Sequence, residues 1–295
     1  MKAAARAQIQ MHCCVLLWGF TSIVGKLITL PALALVWWRV LLAFVLLLAI
    51  PRVRRGLAVM PWRLAASYGA VGVIVTLHWV TFYGAIKLAN ASVAATSLAL
   101  APVFVALIEP LVTRRRFEVR EALFGIAVVP GAALVVGGVP TAMHTGVVVA
   151  VLSAALVAVF GVLNKRLVHR ADALTVTCVE LGAGTAILPA LAHFWPHEGR
   201  ALPFPGPSDA ILILVLATLL TILPFALSLV ALRHMTAYAA QLAVNLEPIY
   251  AIVLAIVIFG EQRELGPAFY AGVAIILGVV LGQQVTSGRI ESAAA

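Results

Sequence analysis

Charge is what this sequence lacks most. Asp, Glu, Lys and Arg together make up 11% of the chain, while 63% of its 295 residues are hydrophobic. Soluble domains carry about 25% charged residues, and so few charges cannot cover a globular surface. The composition therefore specifies an integral membrane protein. Cysteine is also scarce: Cys13 and Cys14 are neighbours and Cys178 lies far away, which excludes a disulfide framework and leaves them as apolar filler. No GxxxxGK[ST] loop appears, so ATP does not drive the protein directly. There is no HExxH, no GxSxG and no pair of carboxylates on one apolar run, which makes an intramembrane enzyme the least favoured reading. No cofactor or metal is implied. The net charge of +9 is spread in short clusters between apolar runs, without the basic face or stripe that nucleic acid requires.

What fills the chain is hydrocarbon. About 20 apolar residues cross the ~30 Å bilayer core. Ten such runs are predicted, at 8–28, 32–50, 64–87, 91–112, 119–138, 145–166, 173–194, 208–232, 236–259 and 265–284. Turn chemistry separates them: Pro31, "PRVRRG", "GGVPTAMHTG" and the long "WPHEGRALPFPGPSD". The opening "MKAAARAQIQMHCCVLLWGF" has a signal-like charge pattern without a small-residue cleavage site, so it reads as a retained first helix. Alternate loops divide the Lys and Arg residues fifteen to three, and this bias sets orientation. Both termini are expected in the cytoplasm of a bacterial inner (plasma) membrane.

A repeat underlies the runs. Shifted by 146 residues, "FYGAIKLANASVAATSLALAPVF" lies along "SLVALRHMTAYAAQLAVNLEPIY", with Pro102 on Pro248. Gly125 and Gly131 keep the spacing of Gly272 and Gly278. Residues 1–140 and 141–295 are therefore read as two five-helix repeats. An odd number of spans per repeat inverts the second copy, an architecture of transporters whose substrate sits where the repeats meet. The expected fold is all-α, with ten transmembrane helices.

The phrases "LLWGFTS", "WWRVLLAF", "APVFVALIEP" and "LEPIYAIVLAIVIFGE" resemble the EamA-type members of the drug/metabolite transporter superfamily, over nearly the whole chain. The first repeat departs from that pattern, carrying "TRRRF" where the second keeps Gly260-Glu261. Aromatic-rich helices make the YddG-like amino-acid exporters the nearest analogy within the superfamily. The resemblance implies a ten-helix exporter working on a small-molecule substrate.

Candidate substrate-binding residues are Trp18, Ser22, His78, Trp79, Tyr83, Gln241, Asn245 and Tyr250. Trp18, Ser22 and Lys26 form a stripe at four-residue spacing, as do the pairs His78/Phe82 and Trp79/Tyr83. The aromatics would supply apolar contact, and Gln241, Asn245 and Ser22 orienting hydrogen bonds. Gln241 and Asn245 lie on one face of the ninth run, and Glu247 and Tyr250 on another. Glu247, near mid-depth, is a coupling or structural carboxylate, because intramembrane ionisable groups are costly and face protein or water. Pro102 and Pro248 mark helix kinks. Glu109 and Glu180 are read as structural, Arg39 as either structural or snorkelling rather than substrate-binding, and Lys26 as a side chain that snorkels outward. The expected activity is export of small amphipathic metabolites, neutral or aromatic amino acids foremost. Nucleotide or lipid-linked sugars are the alternative cargo. Beyond substrate and bilayer no partner is implied, and a monomer is expected.

Overall fold

The structure, a computed structural model, describes residues 3–114, 116–117, 119–194, 200–244 and 246–293. Fourteen α-helices occupy the described residues: α1 (Ala3–Leu27), α2 (Ala32–Leu48), α3 (Pro51–Val59), α4 (Trp62–Leu88), α5 (Ala91–Leu98), α6 (Ala101–Thr113) and α7 (Val119–Gly137) in the first half. The second half holds α8 (His144–Leu167), α9 (Ala173–Phe194), α10 (Pro207–Ala217), α11 (Leu223–Leu232), α12 (Ala237–Val244), α13 (Glu247–Phe259) and α14 (Pro267–Ala293). No strand occurs among the described residues.

Six helical stretches are long and apolar enough to cross a membrane: Ala5–Leu27, Trp62–Leu88, Ala91–Thr113, Thr141–Leu167, Ala173–Phe194 and Pro207–Leu232. A seventh is α2 taken together with α3, from which it is bent by 90°. Helix α3 carries Arg52, Arg54 and Arg55, so the chain turns sideways where its charges begin. Three further apolar helices are shorter: Leu123–Gly137, Glu247–Phe259 and Pro267–Val279. Length and composition thus identify six or seven crossings rather than the ten expected. The shortfall arises where runs are broken or shortened: α12 and α13 are separate short helices, and only part of α7 and α14 is apolar.

Proline explains two of the breaks. Pro102 and Pro248 stand in the first turn of α6 and α13, where the missing N–H costs nothing. Pro102 thus marks an interruption inside the stretch Ala91–Thr113, and Pro248 the start of α13 after α12. The broken pairs superimpose along the sequence, since α5 and α12, and α6 and α13, each begin 146 residues apart. Their caps match as well. The Asn90 side chain accepts from the Val93 amide at 2.9 Å, and the Thr236 hydroxyl from the Ala239 amide at 3.0 Å. Both α6 and α13 end on a left-handed residue, Arg114 (φ 57°) and Gly260 (φ 68°).

Packing follows the same exchange. Helix α4 packs on α8 as α1 packs on α11, and α5 meets α13 as α6 meets α12. Helices α7 and α14 pack as a pair, with Gly131 and Gly272 letting the two backbones touch. At one end of the bundle, Arg233 donates to the Val168 and Ala171 carbonyls and Lys165 to those of Leu232 and Met235. At the other, Lys87 donates to the Ile28 carbonyl, and Asp209 accepts from the amide and hydroxyl of Thr29.

Candidate functional site

A cavity of about 100 Å³ lies among α1, α2, α4, α8, α11, α12 and the start of α13. Its lining runs from Arg39 and Glu247 at mid-depth to Met11, Leu232 and Ala237 near the end held by Lys165 and Arg233. Trp18, Trp79, Phe82, Phe160 and Phe225 give it aromatic walls, with Thr21, His78 and Ser228 as polar breaks among them. The Phe160 and Phe225 rings stack with centroids 5.4 Å apart, and Trp79 tilts onto Phe225 at 5.8 Å.

Arg39 is 1% exposed. Its Nε donates to the Thr221 hydroxyl at 2.6 Å and its Nη1 to the Tyr83 hydroxyl at 3.0 Å. The guanidinium carbon sits 4.0 Å from the Trp79 ring centroid, a cation–π contact. Thr221 can accept because of the local backbone: Thr218–Ile222 is a widened π-helical turn, and its hydroxyl donates to the Leu216 carbonyl. The equivalent part of α4 is regular helix. Such turns recur at functional sites. Arg39 therefore does not snorkel; hydroxyls and an aromatic face hold it inside. Glu247, buried at the first turn of α13, lies within electrostatic reach of it. A guanidinium and a carboxyl group thus face one aromatic chamber.

The sequence candidates divide among several places. Trp18, His78, Trp79 and Glu247 line the cavity. His78 is also tied to α8, its Nδ1 lying 2.8 Å from the Ser153 hydroxyl and 3.0 Å from the Ser153 carbonyl. Tyr83 is fully buried behind Arg39 rather than on the wall. Ser22 is buried and donates to the Gly19 carbonyl, so its hydroxyl is spent within its own helix. Tyr250 is 40% exposed and its Cβ lies against Gly19, away from the cavity. Of the two faces weighed on the ninth run, the lining stripe is Ala237, Ala240, Val244 and Glu247. Asn245 and the side chain of Gln241 lie outside the described residues. Lys26 pairs with Glu261 at 2.6 Å instead of reaching for the interface. Sequence reasoning missed the π turn, for which hydropathy carries no signal, and Arg39 as a lining group, whose signal was its aromatic neighbourhood.

The model of the EamA-like transporter family matches the chain twice, over residues 6–137 and 144–282. Among curated proteins none matches its sequence. One solved structure, titled only as a crystal structure of a protein, is similar in fold. It is 18% identical and aligns over 97% of this chain and 99% of that one, with a TM-score of 0.67. Two family matches covering most of the sequence, laid over apolar membrane-length helices, show that the chain is an integral membrane protein belonging to the EamA-like transporter family.

Proposed function

We propose that the protein is a secondary transporter exporting small amphipathic metabolites, neutral or aromatic amino acids first among them, by alternating access. The observation that carries this reading is that Arg39 and Glu247 both line one aromatic chamber. A zwitterion presents a carboxylate to a guanidinium and an ammonium to a carboxylate, while its side chain takes the apolar wall. The volume supports movement. About 100 Å³ falls well below the roughly 300–1,000 Å³ of small-molecule pockets, so the helices must part to admit cargo. Phosphate-bearing cargo suits the site less well, because Glu247 opposes a dianion.

Ten crossings in two inverted quintets, with both termini in the cytoplasm, are the architecture we infer. Matching caps, left-handed helix ends 146 residues apart and exchange-related packing support it. On this reading the cavity faces the cytoplasmic end. Counterflow in proteoliposomes with labelled threonine, tryptophan and a nucleotide sugar tests the cargo. Amino-acid exchange is expected, falling roughly tenfold or more in Arg39→Gln, from the ~1.5–3 kcal/mol of a hydrogen bond to a charged group. Sugar exchange with inert amino acids would reverse the assignment.

A further inference from the structure

A second buried polar group lies outside the cavity. Glu180 is fully buried on α9, and the side-chain amide of Asn164 on α8 faces its carboxyl without closing a well-formed hydrogen bond. Asn164 is itself buried, and its side-chain polar atoms have no well-formed partner elsewhere among the described residues; the buried hydroxyl of Thr76 on α4 is also without one. Gly72 brings the α4 backbone directly against that of Glu180, and Thr76, one turn on, packs on Gly184. Three helices thus converge at Glu180, with the Asn164 amide facing its carboxyl group and Thr76 packed against α9 one turn away.

Among the described residues no cation balances this carboxylate. On α4 the facing titratable group is Tyr68, which donates to the Leu167 carbonyl. Arg52 of α3 is engaged by Asp172, and Arg233, just beyond α11, by two backbone carbonyls. Arg170, beyond the end of α8, is exposed. On α2, Phe44 packs on Gly182, close to Glu180 along α9. An ionised carboxylate here would bear an uncompensated desolvation penalty of several kcal/mol, so the group must carry a proton.

Its place in the fold gives the proton a use. Arg39 and Glu180 are each the eighth residue of their helices, α2 and α9, which begin 141 residues apart. In an inverted repeat, exchanging the conformations of the halves exchanges the surroundings of such positions. Arg39 now lines the chamber while Glu180 is walled off.

Resting on the transporter reading, we propose that Glu180, with Asn164 and Thr76, is a proton-binding site distinct from the substrate cavity. It is protonated when α4, α8 and α9 are closed, and deprotonated when they part. On opening, the carboxyl O–H bond breaks, its electron pair stays on the carboxylate oxygen, and the proton passes to water admitted between the parted helices.

Infrared titration of the full-length protein in detergent tests the site without any cargo. The wild-type-minus-Glu180→Gln spectrum is expected to show a protonated-carboxyl stretch at neutral pH. Ionised-carboxylate bands alone, or a protonated band removed by sodium at fixed pH, would overturn the proposal. In proteoliposomes with labelled threonine and tryptophan, Glu180→Gln is expected to keep counterflow and lose accumulation driven by a pH gradient, with Glu180→Asp restoring it. Unchanged gradient-driven accumulation would equally overturn it. Because the infrared arm uses no substrate, a wrong cargo leaves the outcome for Glu180 intact.

Discussion

Helices α6 and α13 end on the same backbone with opposite chemistry. Arg114 and Gly260, 146 residues apart, both take the left-handed conformation, and the next residue is arginine in one case and glutamate in the other. Glu261 is fully buried. It pairs with Lys26 at 2.6 Å, accepts from the amides of Ala91 and Ser92 at 3.2 and 2.9 Å, and accepts from the Ser92 hydroxyl. It thus places a negative charge at the N-terminus of α5, where the helix dipole favours one. Nearby, Asn90 donates to Glu264 at 3.0 Å, and the Gly266 amide to the Gly138 carbonyl at 2.8 Å. At the other end, side chains of Lys165 and Arg233 grip backbone carbonyls. One skeleton therefore carries two different closures. The Glu261 end is locked by a partly buried ion pair, and the cavity extends toward the end without it.

The largest way to break this contrast is to remove the lock. Glu261→Ala leaves the partly exposed Lys26 and the buried α5 amides without their acceptor, a loss of about 2–3 kcal/mol from the unsatisfied donors. Thermal unfolding in detergent should fall accordingly, and a maleimide should react faster with Ser92→Cys when the lock is gone. An unchanged melting curve would mean that the pair holds nothing together. A smaller effect separates the caps. Asn90→Ala should cost about 1–2 kcal/mol, because Asn90 also donates to Glu264, and Thr236→Ala, exposed, about 0.5–1 kcal/mol. Equal losses would show that the two ends are no different in tightness. Smallest is the backbone itself. Arg114→Gly should stabilise by about 1 kcal/mol, relieving a left-handed non-glycine residue, whereas Gly260→Ala should destabilise by a similar amount.

Much of this was legible in the sequence because hydropathy and charge act on whole segments. The membrane class, the offset of 146 and the family followed from apolar runs, the arginine bias and the Pro102/Pro248 register. Side-chain placement was less legible. Ser22 shares a stripe with Trp18, yet its hydroxyl turns back onto Gly19, a choice that helical spacing cannot express. Arg39 reads as an outward-reaching cation until Thr221 appears opposite it, 182 residues along the chain. Tyr250 and Glu247 are close in sequence but part company, because the chamber accepts only one stripe of α12 and α13.

The central claim is that the two halves enter the membrane with opposite polarity, and the two helix ends can report it. In a background with Cys13, Cys14 and Cys178 replaced, single cysteines at Arg114 and Gly260 are labelled by a membrane-impermeant maleimide, in right-side-out and in inverted vesicles. Each site should react in only one vesicle type, and the two sites in opposite types. Labelling of both from the same face would contradict the inverted arrangement.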